Sequence, residues 1–256
     1  MRTRNIYILS ACLAAALSCT EFQEETLESA DVDIVEMTFT ANICDESDSE
    51  TKTVLDGQLG DNLRKVLWTP EDEIGIFAKG YTESSHPFKF VNNATSNSET
   101  AEFIGGANLA SEYFAIYPYD QSNLVWFNTE YPDGYHYSIL FEIPQTQKYV
   151  EGSFDKNTAP MVAKAAYGEP LQFKNLCGIL ALNLTGNETV SSITFSGKDE
   201  AGNFKYVSGD FQIIMDYVEE PVIVPGPEGP TGQALLETTY KSVRLECDEP
   251  VQLSET

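Results

Sequence analysis

Five cysteines carry the most specific chemistry in this sequence of 256 residues. Two of them, Cys12 and Cys19, belong to a leader in which Arg2 and Arg4 precede an apolar stretch over residues 6–17. A basic start, a short apolar run and small residues before a cleavage point are typical of a secretory signal. The run is too short to span a bilayer as a stable anchor. We therefore expect the leader to direct export. A thiol at the end of such a run is a candidate for acylation.

The stretch that ends in Cys19, residues 16–19 (ALSC), resembles a bacterial lipobox, in which the cysteine is acylated and becomes the new N-terminus. Residues 9–12 (LSAC) fit the lipobox consensus better residue by residue, but Cys12 would leave an apolar region of only a few residues. We therefore assign lipidation to Cys19. Acylation at Cys12 and an ordinary secretory signal with incidental cysteines stay open as alternatives. The acidic and polar residues 20–31 that follow predict a flexible tether.

The other three cysteines, Cys44, Cys177 and Cys247, are odd in number and widely spaced. They predict neither a disulfide framework nor a C-x-x-C zinc pair. We expect small apolar fillers, of which one pair could oxidise outside the cell. The acidic run over residues 45–50 suggests calcium, but the sixth position of an EF-hand loop needs glycine and holds Glu50 here. We predict no metal site and no cofactor.

Signatures of catalysis are sparse in this sequence. It contains two histidines, His86 and His136, and lacks the motifs of nucleophile elbows, phosphate-binding loops and zinc proteases. With 40 acidic residues, a glycosidase-like carboxylate pair is one hypothesis, because such pairs are defined by their separation in space. We predict a protein that is not an enzyme and has no catalytic residues. The net charge of −25 would repel a polyphosphate, which excludes nucleic acid as a partner.

The clearest secondary-structure signal in the sequence is a strand pattern over residues 35–43. Apolar and polar residues alternate there, and because successive strand side chains point to opposite faces, the apolar ones share one side of a strand. These apolar residues are Val35, Met37, Phe39, Ala41 and Ile43. The polar and acidic residues 45–53 cannot bury themselves, so we expect an exposed loop behind the strand.

Short apolar segments separated by turn residues recur along the chain, without a sustained helical period. They are residues 66–68, 74–77, 88–91, 102–104, 113–117, 138–143, 178–184, 193–195, 211–213 and 242–245. This spacing predicts an all-β fold. We expect a division into a signal peptide with lipobox, a tether, an N-terminal β-sandwich domain and a C-terminal β-sandwich domain, over residues 1–19, 20–31, 32–160 and 161–256.

Six short motifs, in order along the chain, resemble the fimbrillin family, the subunits of type V pili. The likeness runs from about residue 32 to residue 211. The motifs are residues 52–55 (KTVL), 66–77 (VLWTPEDEIGIF), 115–119 (AIYPY), 143–147 (IPQTQ), 159–163 (APMVA) and 173–180 (FKNLCGIL). The resemblance implies two transthyretin-like Greek-key β-sandwich domains in tandem. It also implies a lipoprotein precursor that reaches the cell outer membrane and becomes a surface-exposed part of a fimbria.

Family members are matured by a trypsin-like protease that cuts behind the first strand, and a strand of the neighbouring subunit then fills the vacated groove. Here the resemblance implies that residues 35–43 are the removable, groove-filling strand and that Lys52 is the candidate cleavage site. The loop has no arginine, and the next one along the chain is Arg64. Either a lysine-cutting enzyme acts at Lys52, or the chain is an accessory, anchor or tip subunit that keeps its first strand.

The partners implied by the resemblance are other pilus subunits, the outer membrane through the lipid anchor, and a host or bacterial surface receptor. Family members usually continue beyond the point that matches residue 256, so we expect a second sandwich that is incomplete at its C-terminus and has an unpaired edge. The alternative function is a surface glycan-binding lipoprotein that serves nutrient uptake. Its candidate sugar-stacking residues are Trp126, Tyr131, Tyr135 and Tyr137, although core packing is the commoner use of such residues.

Overall fold

Strands make up nearly all of the regular secondary structure in the described part of this chain. The computed structural model of the protein describes residues 34–44, 67–80, 84–131, 134–215, 222–225 and 239–254. These residues form β-strands, one 3-10 helix and no α-helix, which confirms the all-β class. They all lie in one compact unit, Asp33–Thr256. No helix in this part of the chain is long and apolar enough to cross a membrane.

The strands follow the short apolar segments of the sequence and are separated by turns. They are β1 (Ile34–Ile43), β2 (Glu73–Ala78), β3 (Ser84–Ser85), β4 (Phe88–Asn92), β5 (Thr100–Asn108), β6 (Glu112–Tyr117), β7 (Leu124–Tyr131), β8 (Gly134–Ile143), β9 (Thr146–Lys148), β10 (Met161–Ala166), β11 (Leu171–Asn175), β12 (Thr189–Phe195), β13 (Ser208–Ile214), β14 (Val222–Pro225), β15 (Thr239–Tyr240) and β16 (Val243–Gln252). The 3-10 helix spans Lys156–Thr158, between β9 and β10.

Seven of these strands close into a barrel, in the order β1-β11-β10-β6-β2-β4-β5. Its neighbours are antiparallel except for β1 and β11, which run parallel. β10 and β11 follow residue 160 in the chain, so the barrel contains strands from both sides of the domain boundary that the sequence predicted there. Closure leaves the barrel without an outermost strand, because every strand has a neighbour on both sides.

Aromatic side chains fill the barrel interior. The indole of Trp68 is fully buried and makes edge-to-face contacts with Phe103, Tyr117 and Phe173, at ring-centroid distances of 5.0, 5.5 and 5.2 Å. Such edge-to-face pairs add to the free energy gained from burial alone. The barrel therefore has a packed core in place of an open channel.

A second core lies on the outer face of the barrel. The sheet β14-β13-β8-β7-β3, with β15 paired to β13, packs there against β2, β6 and β10. Phe77, Phe114 and Val162 from the barrel meet Ile139 and Ile213 from this sheet, and all five are buried. This position between two cores explains why β2 and β6 are apolar on both faces, unlike the one-sided β1.

The remaining sheet, β12-β16-β9, is built differently. None of its described side chains is fully buried, and Phe195 at the end of β12 is 42% exposed. Its strands do alternate between half-buried and exposed residues, as in β16. Such alternation is typical of a sheet with one apolar face, but in the described residues no second layer of buried side chains covers that face.

The strand predicted over residues 178–184 is absent from the structure. These residues belong to no strand, and they expose Leu180, Leu182 and Leu184 to solvent. The prediction was wrong because alternation shows only that a segment suits the extended conformation, whereas a strand also needs a neighbour to accept its backbone hydrogen bonds. No such neighbour lies beside this segment in the described part of the chain.

Candidate functional site: the closing strand of the barrel

β1 presents its apolar side to the barrel interior, and burial deepens along the strand. Val35 and Met37 are half-buried, whereas Phe39 and Ala41 are buried at 5% and 0% exposure. Ile43 is half-buried at the end of the strand, and both it and Met37 pack against the barrel core. The strand is thus fixed mainly by its second half.

Phe39 is the main anchor of β1 in the core. Its ring packs edge-to-face against Phe90, at a centroid distance of 5.3 Å, and against Tyr113, at 5.0 Å. Tyr113 is itself held by its hydroxyl, which donates to the carbonyl of Asn108 at 3.1 Å and accepts from the amide of Ala110 at 2.9 Å. The two rings that pack against Phe39 therefore belong to other strands, β4 and β6.

One edge of β1 is paired along nearly its whole length. It runs antiparallel to β5, from Ile34 opposite Asn108 to Asn42 opposite Thr100. A side-chain hydrogen bond from Thr100 Oγ1 to Asn42 Oδ1, at 2.8 Å, fastens the end of this ladder. This seam supplies most of the backbone hydrogen bonds that hold β1.

Two glycines of β5 lie where a Cβ would meet close neighbours, one on β4 and one on β1. A Cβ at Gly105, which lies opposite Met37, would stand 2.5 Å from the carbonyl oxygen of Lys89 and 2.8 Å from the Phe90 ring. A Cβ at Gly106 would stand 2.9 Å from the Ile34 side chain. A larger residue at Gly105 would push β5 away from β4, whereas one at Gly106 would displace only the exposed side chain of Ile34.

The other edge of β1 is paired over a short distance. Only Ala41, Asn42 and Ile43 lie in register with β11, and the amide of Cys44 donates to the carbonyl of Phe173 at 2.9 Å. Residues 34–40 face no strand on that side among the described residues. The barrel is consequently closed by one long seam and one short seam, and the short seam is where it would open.

A polar cluster lies elsewhere, at the turn before β2. Asp72 is buried, and its carboxylate accepts from the amide of Thr69 at 2.7 Å and from Lys156 Nζ at 2.9 Å. Burial and the neighbouring Asp72 carboxylate raise the pKa of Tyr117, whose hydroxyl donates to Asp72 across 3.4 Å. Residues 71–73, 117–119 and 156–157 line an open cavity of about 160 Å³ here. Because the Asp72 carboxylate is already occupied by these partners, its evident role is to fix the turn.

The residues proposed for sugar stacking are only partly described. Tyr137 is half-buried, with its ring 5.2 Å from that of Phe114 and 5.5 Å from Lys79 Nζ. The side chains of Trp126, Tyr131 and Tyr135 lie outside the described part of the structure. Tyr137 is therefore used for packing and for a cation–π contact, as expected for an aromatic residue at the edge of a core.

The predicted modification sites, Cys19 and Lys52, lie outside the described residues. Burial raises the pKa of Cys177 to about 11, which keeps that thiol protonated and unreactive at neutral pH. In the described part of the chain, no group of three or more His, Cys, Asp or Glu side chains is placed to hold a metal ion.

β11, the strand that forms the short seam, was not predicted from the sequence. Leu171 and Phe173 are buried and alternate with Gln172 and Lys174, which was the available signal. The pattern covers only a few residues and gives no hint that its partner lies at residues 41–43.

No protein-family model matches this chain, and no curated protein and no solved structure is detectably similar to it.

Proposed function

We propose that this protein is a structural or adhesive subunit of a cell-surface fimbria, exported as a lipoprotein and assembled by exchange of β-strands. The observation that supports this most strongly is the way β1 closes the barrel. Its apolar side faces the core, one of its edges is paired only at residues 41–43, and its main pocket is built by other strands. A strand held in this way can be replaced by another of similar pattern.

The energetics make replacement necessary once β1 leaves. Burying a large apolar side chain contributes about 1.5–3 kcal/mol, so the apolar side of β1 contributes roughly 5–10 kcal/mol in all. This is comparable to the whole stability of a typical domain, about 5–15 kcal/mol. A barrel without β1 would be poorly stable alone, and a donor strand would restore both its core and its ladder with β5.

The finer features of the proposal come from the resemblance to fimbrillins. In this proposal the chain has two transthyretin-like Greek-key β-sandwich domains and is anchored to the outer membrane by acylated Cys19. Cleavage at Lys52 releases β1, and the groove then accepts a strand of another pilus subunit. The all-β fold and the one-sided burial of β1 are compatible with this scheme. Tyr137 gives no support to the glycan-binding alternative, because its ring is packed against Phe114.

The proposal is tested on the protein as it occurs at the surface of producing cells. We expect mass spectrometry to find a new N-terminus at Thr53, and unboiled denaturing gels to show a ladder of oligomers. Lys52→Gln should abolish both, because it removes the basic residue that the protease needs. Lys148→Gln, which changes an exposed lysine on β9, is the matched control and should leave both unchanged. A ladder formed by Lys52→Gln with β1 still attached would refute cleavage-dependent exchange.

A further inference from the structure

Residues 178–184, which we call the leucine segment, form an exposed apolar stretch without a strand partner. Leu180, Leu182 and Leu184 are 58%, 51% and 45% exposed, and they recur at every second position. No backbone hydrogen bond holds residues 178–184 in the described structure. Apolar side chains at this spacing, on a stretch whose amides and carbonyls face no strand among the described residues, are the features of a strand that can pair with another chain.

The leucine segment is fixed at both ends. On its N-terminal side Leu176 is buried, and its amide donates to the carbonyl of Pro160 at 2.9 Å. On its C-terminal side the amide of Gly186 donates to the carbonyl of Ser254 at 3.0 Å. A segment held between two such points loses less conformational freedom when it binds than a free chain would.

Charge indicates what can approach this segment. Residues 175–187 contain no charged side chain, whereas the whole chain carries a net charge of −25. Two copies of so acidic a protein repel each other over most of their surfaces. An uncharged apolar stretch is therefore a place where a second copy can dock at the smallest electrostatic penalty.

The sequence of the segment is also complementary to itself. In an antiparallel pair centred on Leu182, Leu180 of each copy lies opposite Leu184 of the other, and Ala181 lies opposite Asn183. The three leucines of both copies then share one face, where directly opposed side chains are about 5 Å apart at Cβ. This arrangement has the two-fold symmetry of an isologous interface, which closes at the dimer.

We propose that the leucine segment pairs antiparallel with the same segment of a second copy, about a two-fold axis at Leu182. This contact goes beyond the strand exchange at β1 and does not require cleavage at Lys52. The interface is small, and interfaces below about 1,200 Å² are typical of weak, transient complexes. We therefore expect a dimer that depends on protein concentration, which would join subunits already brought together by other contacts.

The first test is sedimentation velocity of the full chain in a mild non-ionic detergent, over a wide range of protein concentration. The wild type should shift from monomer to dimer. Leu182→Lys and Leu182→Glu should each weaken the dimer by roughly tenfold or more, because like charges would face each other across the axis. Using both signs separates loss of the contact from a change in net charge. Leu109→Lys is the matched control, since Leu109 is a leucine of similar exposure, 52%, that follows β5 and lies outside the leucine segment, and it should have no effect.

The second test reads the register by cysteine cross-linking, with linked peptides identified by mass spectrometry. Leu182→Cys should link to itself, and a mixture of Leu180→Cys and Leu184→Cys should link more readily than either variant alone. Circular dichroism checks that each variant is folded, and Leu180→Lys replaces any Leu182 variant that is not. A monomer at all concentrations, a dimer that resists Leu182→Lys, a ladder of larger oligomers through this segment, or equal linking of Leu180→Cys alone would each overturn the proposal.

Discussion

The barrel and the sheet β12-β16-β9 are built from similar alternating strands, yet they bury them to very different degrees. In the barrel, Phe39 is 5% exposed and lies between two other rings. In the sheet, Phe195 is 42% exposed, and no described side chain is fully buried. The comparison shows that an amphipathic strand acquires a core only when other elements enclose its apolar face.

The difference also locates the parts of the molecule that can change partners. The barrel is complete as long as β1 is in place, and its weakest closure is the short seam with β11. The leucine segment and the sheet retain apolar surface that nothing covers in the described residues. Truncating an apolar side chain should therefore lower the free energy of unfolding strongly in the barrel, and hardly at all in the leucine segment or in the sheet β12-β16-β9.

The largest effect is expected for truncation of the β1 anchor. Phe39→Ala should lower the free energy of unfolding by about 3–5 kcal/mol, because it leaves a cavity beside Phe90 and Tyr113. Phe195→Ala, the matched change in the exposed sheet, should stay within about 0.5 kcal/mol. Urea unfolding followed by tryptophan fluorescence measures both. Similar losses for the two variants would show that the regions do not differ in the way described.

A smaller effect should follow from overpacking the contact between β5 and β4 in the barrel. Gly105→Ala places a methyl group 2.5 Å from the carbonyl oxygen of Lys89, and we expect it to cost about 1–3 kcal/mol. Gly178→Ala is the control, because a Cβ there has no neighbour within 4 Å. Unfolding curves at low protein concentration compare the two. Equal stability of both variants would mean that β5 is not closely packed against β4.

The smallest effect concerns the reactivity of Cys177, which packs against the second core. The raised pKa of Cys177, about 11 against the usual 9.0, lowers its thiolate fraction at pH 8. A more basic thiolate is also more nucleophilic, but this offsets only part of the loss of thiolate. Alkylation of Cys177 should therefore be roughly tenfold slower than that of an ordinary thiol. Raising the pH through 11 should remove the difference. Peptide mapping after iodoacetamide labelling measures the rate, and fast labelling at pH 8 would contradict the burial of this group.

β1 could be predicted from the sequence because alternation is a local property that a single strand displays in full. The same reasoning failed for residues 178–184, where the alternation is equally clear but no neighbouring strand is present. It also missed the pairing of β1 with β11, because residues 41 and 171 are joined only by the topology of the barrel.

Polar contacts between distant parts of the chain could not be predicted from the sequence either. The Asp72 carboxylate and Lys156 Nζ lie 2.9 Å apart although 84 positions separate these residues in the sequence. Nothing in the composition around either residue identifies the other as its partner. Cys19 and Lys52 lie outside the described residues, and their roles stay predictions.

The exchangeability of β1 is tested most directly by a reversible lock on the long seam. Thr38 and Ile104 lie directly opposite each other on β1 and β5, with both side chains exposed, so Thr38→Cys with Ile104→Cys can form a disulfide that holds β1 in place. The control pair, Glu73→Cys with Val91→Cys, joins β2 to β4 and leaves β1 free. We predict that the oxidised β1 lock gives only monomers on unboiled gels, that reduction restores the oligomer ladder, and that the control forms the ladder in both states. A ladder formed while β1 is locked would contradict assembly by strand exchange.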